Sequence, residues 1–287
     1  MKVIKFGVPL LTLLLTCGCA MTWQPDLENA QKNTPTNASQ TALIRAETCF
    51  GYADNLESLQ QCQDHYLAVL QENPGDYTAL TQLSTLNILV GTAYTDGLWA
   101  KSERFQQAMR YAELAMYTNE AFKAKVSAGD PLWLAVDALG EAEVEAMFFW
   151  VTALQYEFKE GMSLAGKIVN IDWLQHALLV LNHIEAVAPH FGNGGVEFAK
   201  LICYYALPNH LGGSKERGDE YMQKAVARSG NWLLPRWARG KYYYVVTGQE
   251  DKSVQDLSWV ASQKLENYRD PYPWRVHFQE NARELLQ

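Results

Sequence analysis

Apolar residues through the body of this chain recur at three- and four-residue steps, with polar residues filling the gaps. In 172–188, Leu174, Ala177, Leu178, Leu181, Ile184 and Ala188 keep that rhythm until Pro189 stops it. Gly218, Tyr221, Met222, Ala225 and Val226 repeat it in 215–228, ahead of Gly230, and Val254, Leu257, Ala261 and Leu265 do so in 253–266. That period belongs to helices that bury one apolar stripe on their neighbours. No long stretch alternates residue by residue, and no Asn-Gly or Asp-Gly turn joins two strand-like runs. The expected fold class is therefore all-α. Pro74, Pro131, Pro189, Pro208, Pro271 and Pro273 fall at inter-helix breaks, while Pro235 suits a first helical turn, where its missing N–H costs little.

The helices also space themselves as hairpins. With Pro74 closing a unit of about 34 residues, 43–56 and 57–73 become its two helices. Cys62, Tyr66 and Val69 then occupy its small, aromatic and small positions. Asp76-Tyr77-Thr78-Ala79-Leu80 opens a second unit, whose second helix shows at Ala108, Ala112 and Ala115, after an insertion near 91–102. Ala177, and then Gly218, Met222 and Ala225, mark two more second helices. The pattern is that of a tetratricopeptide-like helix-hairpin solenoid over 42–287, with a generic helical bundle as the alternative.

The N-terminus changes the picture. Lys2 and Lys5 precede an apolar run from Phe6 to about Leu15, which is too short to span a bilayer and has the form of a secretory signal. It ends in Thr16-Cys17-Gly18-Cys19, so residues 1–18 form an expected lipoprotein signal peptide, with Cys19 the acylated new N-terminus. Several acyl chains on one residue anchor stably. Ala20, rather than Asp, points to the inner leaflet of the outer membrane. Residues 19–41 are polar and rich in Asn, Thr, Gln and Pro, and they predict a flexible tether reaching on the order of 25 Å.

Composition narrows the function. An apolar share of 48% excludes disorder. Loss of Lys2 and Lys5 takes the formal charge from −8 to −10, which argues against nucleic acid. Cys49 and Cys62 lie on facing helices of the first hairpin in an oxidising compartment, and they are expected to form a disulfide. Cys203, in the apolar run 198–207, is expected to stay reduced and buried.

Several pieces of the C-terminal half occur in a telling order. Phe148-Phe149-Trp150 is followed by a helix closed by Ala188-Pro189-His190-Phe191-Gly192, and then by Tyr204-Tyr205-Ala206-Leu207-Pro208-Asn209-His210-Leu211-Gly212-Gly213. Glu216-Arg217-Gly218, Gln223-Lys224-Ala225, Arg236-Trp237-Ala238-Arg239 and a closing Asn281-Ala282-Arg283-Glu284-Leu285-Leu286 come next. This resembles the T-component (TatT) family of tripartite ATP-independent periplasmic (TRAP) transporters. The resemblance implies a tetratricopeptide-like lipoprotein that docks a periplasmic solute-binding protein, and it supplies no catalytic residues. A tetratricopeptide-like envelope-assembly scaffold unrelated to transport is the alternative. Partners are then the solute-binding protein and the membrane, and the reading also allows self-association.

No nucleophile–base pair, metal-ligand set or cofactor motif emerges, so a non-enzymatic role without cofactor or metal is expected. His176, His183 and His190 step by seven, too far apart on a helix to share one metal ion. Asp137, Glu141 and Glu145 step by four and would form an acidic stripe on one helix. Arg236, Trp237, Arg239 and Tyr243 combine charge with aromatic area on the helix after Pro235. Together with Trp150 and the loop of Pro208, Leu211, Gly212 and Gly213, they make the expected partner or ligand surface.

Overall fold

The computed structural model describes residues 20–287. The segment expected to be a signal peptide, 1–18, and the expected acylation site Cys19 lie outside the described residues. The fold is all-α, and no strand occurs among the described residues. α1 (Asn37–Phe50) and α2 (Leu56–Glu72) form the first hairpin, and α3 (Tyr77–Ala93) and α4 (Leu98–Met116) the second. α1 starts six residues before the periodicity places it, because Thr36 and Ser39 cap each other's backbone N–H groups. Asn55 and Ser58 do the same for α2, and the Asp76 side chain accepts from Ala79 N at the head of α3. The expected insertion at 91–102 shrinks to the link Tyr94–Gly97. α4 already runs from Leu98, and a Cβ on Gly91 would lie 2.6 Å from the Phe105 ring, so the two helices touch there.

Cys62, Tyr66 and Val69 are all fully buried, as their stripe requires. Cys49 and Cys62 form a disulfide across the first hairpin, with Cα atoms 5.4 Å apart. Cys203 is free and buried.

The middle of the chain departs from simple hairpins. α5 (Glu120–Ser127) and α6 (Leu132–Ala135) are short, and α7 (Val144–Tyr156) packs on α3, α4 and α9 (Trp173–Val187) at once. The helix expected to carry Asp137, Glu141 and Glu145 on one face does not exist. The backbone extends at Leu139–Gly140 between two 3-10 turns, so Asp137 pairs with Lys125 at 2.6 Å while Glu145 sits on α7. α8 (Leu164–Val169) intervenes before α9.

Hairpin packing resumes with α10 (Gly195–Ala206) on α11 (Lys215–Arg228). α12 (Leu234–Ala238) has Pro235 in its first turn and continues through a π turn, Arg239–Tyr243, into α13 (Tyr244–Val246). α14 (Glu250–Ala261) stops five residues short of the run read from the sequence, and Leu265 falls in a 3-10 turn. α15 (Tyr272–Leu285) packs on α14 and reaches back to the start of the chain, where the Trp274 indole N–H donates to Thr85 Oγ1 of α3 at 3.0 Å.

Residues 20–36 are not a free tether. Met21 N donates to Asn170 Oδ1 at 2.6 Å, and the Trp23 indole donates to Glu113 at 3.0 Å. Asp26 pairs with Arg110 at 2.6 Å, Lys123 donates to the Ala30 carbonyl at 2.8 Å, and Ala30 is buried. Polar composition concealed this, because backbone carbonyls and amides supply several of the contacts.

Candidate functional site

α3, α7, α10, α12 and α15 enclose a cavity of about 710 Å³ with mostly apolar walls. One face of α7 gives Phe148, Phe149, Thr152, Gln155 and Tyr156, at the spacing of a single helical stripe. α10 faces it with Phe198, Ala199, Ile202 and Ala206. Trp237 from α12 and Trp274 and Phe278 from α15 close the far side. Two contacts set the frame. Gln155 donates to the Ala199 carbonyl at 2.7 Å, tying α7 to α10. The Asp270 carboxylate accepts from Leu233 N and Leu234 N at 2.7 and 3.2 Å, fixing the start of α12, and burial raises its pKa to about 6.

Two π turns carry the polar chemistry. α7 ends in one, Glu157–Gly161, and α12 leads into the other, Arg239–Tyr243. A π turn inserts a residue and re-aims those after it, which is why such turns gather at functional sites. Here the first delivers Lys159 and the second Tyr242, and the Lys159 ammonium sits 3.3 Å from the centre of the Tyr242 ring. Both residues line the cavity. None of the ion pairs among the described residues uses Lys159. Lys159 keeps surface open because it projects into the cavity, yet protein surrounds it. Desolvation, with repulsion from Lys241, lowers its pKa to about 8. Lys241 lies 4.7 Å from the Trp237 ring centre and is lowered to about 8 by burial. The Tyr242 hydroxyl is buried near Tyr156 without a hydrogen bond of normal geometry, and burial pushes its pKa well up. Glu145 also opens into the cavity and is raised by desolvation.

Most of the surface expected from the sequence lies elsewhere. Trp237 lines the cavity, and its indole N–H donates to Asn281 at 3.2 Å. Trp150 does not. Two residues on from Phe148 is more than half a helical turn, so Trp150 points into the main core and is buried. Arg236 and Arg239 both grip the buried carboxylate of Asp256, at 2.7 and 2.6 Å, and stack on Trp259 and Tyr244. They hold α12 to α14 and do not face the cavity. Tyr243 donates to Asp219 at 2.8 Å, beside a lesser pocket of about 180 Å³ that also includes Arg239. The Pro208–Gly213 loop is a tight turn. Leu211 O accepts from Gln175 at 2.9 Å, Gly212 takes φ 95°, and a Cβ on Gly213 would collide with the Leu207 carbonyl, so the glycines serve chain reversal.

His190 lines the cavity, and the other two histidines of the seven-residue series pack structurally. His176 stacks flat on Trp133 at 3.7 Å, and His183 bonds the Leu139 carbonyl at 2.9 Å. Sequence reasoning missed Lys159 and Trp274. The α7 stripe was a usable signal for Phe148, Phe149, Thr152 and Tyr156, but nothing local marks the π turn that aims Lys159.

No protein-family model matches this chain, and comparison with curated proteins finds no match.

Proposed function

We propose that this chain is a lipid-anchored, periplasm-facing binding component of a TRAP-type uptake system, built on tetratricopeptide-like hairpins. Its cavity holds a small organic acid with an apolar body. The observation that carries the reading is the pairing of a large aromatic cavity with Lys159 in its wall, held over the Tyr242 ring and in none of the ion pairs among the described residues. A space of this size lies in the range of small-molecule sites, and such sites combine apolar area with few polar anchors. An ammonium hemmed in by protein without an ion-pair partner is costly, and a ligand carboxylate at Lys159 offsets that cost while its body covers the rings. The Tyr242 hydroxyl supplies a second polar contact. Cys19 acylation places the domain beside the membrane, where a solute-binding protein docks and exchanges the acid.

The test uses Trp232, Trp237 and Trp274, which line the cavity, as reporters. Phenylacetate and decanoate are expected to change tryptophan fluorescence saturably, and glucose is not. Filling the space with Ala199→Trp is expected to abolish the response. Identical behaviour towards all three compounds sinks the cavity reading. Native affinity purification of the lipidated protein tests the transport context. Recovery of a solute-binding protein supports it, and recovery of envelope-assembly proteins instead favours the scaffold alternative.

A further inference from the structure

α8 is built the wrong way round for a helix of a soluble domain. Leu164, Ala165, Ile168 and Val169 stand at i, i+1, i+4 and i+5, and so share one face. That face points outwards. Leu164 is 76% exposed, Ile168 68% and Val169 51%. The inner face is Gly166, which is buried, and Lys167, whose ammonium donates to the Lys159 carbonyl at 2.7 Å. A stripe of this kind normally faces a core, and single exposed apolar residues need no explanation, but a contiguous face does.

The path of the N-terminal segment says what covers it. From Thr34, bonded to Asn73, the segment crosses the body through Ala30, Asp26 and Trp23. It arrives with Met21 N on the side chain of Asn170, the residue that ends α8. Only Ala20 lies between Met21 and Cys19, a reach of no more than about 7 Å. Acyl chains on Cys19 would therefore enter the bilayer close to the C-terminal end of α8. We infer that α8 is a membrane-docking helix. Its face Leu164, Ala165, Ile168 and Val169 lies in the headgroup–acyl boundary beside the lipid anchor, and it fixes the orientation of the domain on the bilayer. A short apolar helix adds area that an anchor alone lacks, as amphipathic interfacial helices do. This inference rests on acylation of Cys19, and it replaces a domain swinging on a long tether by one lying flat on the lipid.

The test places a fluorescent environment probe (NBD) on Ile168→Cys in the lipidated full chain, reconstituted in phosphatidylethanolamine–phosphatidylglycerol vesicles. Ala165→Cys on the same face is a second reporter, and Val254→Cys, exposed on α14, is the control. Native cysteines do not interfere, since Cys49 and Cys62 are bridged and Cys203 is buried. Nitroxide-bearing lipids are expected to quench the probes at 168 and 165 at least threefold more than the probe at 254. Mass analysis of the N-terminal peptide decides acylation separately. An acylated protein whose probes at 165 and 168 are quenched no more than that at 254 overturns the docking and leaves the anchor standing. An unacylated protein overturns both. A blue shift at 168 that appears without lipid and grows with protein concentration assigns the face to a second copy and overturns the inference.

Discussion

Two basic–aromatic clusters lie within a few residues of each other, and they do opposite things. Around Asp256, Arg236 and Arg239 find a buried carboxylate, and their pairing raises the Arg239 pKa further. Around Tyr242, Lys159 and Lys241 find rings and, among the described residues, no ion-pair partner, and both are pulled down to about 8. His277, behind Trp237 and Trp274, is pushed to about 3 by burial, with Lys241 adding to the effect. One cluster is a clamp that is electrostatically complete within the protein. The other is a wall where charge is penalised, and it is therefore the one with affinity left for a ligand. Residue type alone does not separate them. What separates them is whether a carboxylate stands opposite.

The comparison breaks first at Asp256. Asp256→Ala strands two partly buried guanidinium groups and is expected to cost about 3 kcal/mol, at the low end for a broken buried pair because both arginines keep an edge in water. Denaturant unfolding measures it, and a loss below about 1 kcal/mol means that the clamp is decorative. Arg236→Ala with Arg239→Ala should also destabilise while leaving phenylacetate binding unchanged. A smaller effect is expected on the other side from acid. The folded pKa of His277 lies below its unfolded value, so its stabilisation is complete above about 6.5 and is lost as pH falls towards about 3. At pH 5 the loss is about 2 kcal/mol. His277→Leu should remove that part of the acid limb, which isolates it from Asp270, whose raised pKa acts in the opposite direction. Parallel pH profiles for the two proteins would refute it.

Lys159→Gln is expected to weaken carboxylate binding about tenfold, or about 1.4 kcal/mol, with the fold unchanged. In the native protein a bound carboxylate raises the Lys159 pKa, so binding near pH 8 should take up protons. Calorimetry in buffers of different ionisation enthalpy reads that uptake, and its persistence in Lys159→Gln would exonerate the lysine. The smallest effect is expected from Lys241→Met. The folded pKa of Lys241 is depressed, so native stability rises as pH climbs from about 8 to about 10.5. The variant should be slightly more stable at pH 7 and lack that rise. An unaltered alkaline limb would show that Lys241 is well solvated.

Local pattern carried much of the fold. α9 and α11 begin and end within a residue or so of the stripes at 172–188 and 215–228, because each stripe is bounded by a chemical stop at Pro189 or Gly230. The Cys49–Cys62 bridge followed from hairpin spacing together with the expected oxidising compartment. Periodicity failed where the determinant was a pair of distant groups. The start of α1 depends on a capping box among polar residues, and the lie of 20–36 depends on partners as far off as Glu113 and Asn170.

The sequence by itself determined that this is an all-α chain of one-sided helices, where most hairpins turn, and which residue types were available for a site. Stripes, stops and prolines act within a few residues, so they are legible along the chain. Only the tertiary structure decided which aromatic residues share a cavity, that Asp256 pairs with the arginines while Lys159 has no ion pair among the described residues, and that the α8 stripe faces out beside Met21. Those outcomes turn on π turns that rotate a helix face and on contacts such as Trp274 with Thr85, 189 residues apart. Burial and charge pairing are properties of the assembled surroundings, which no local pattern contains.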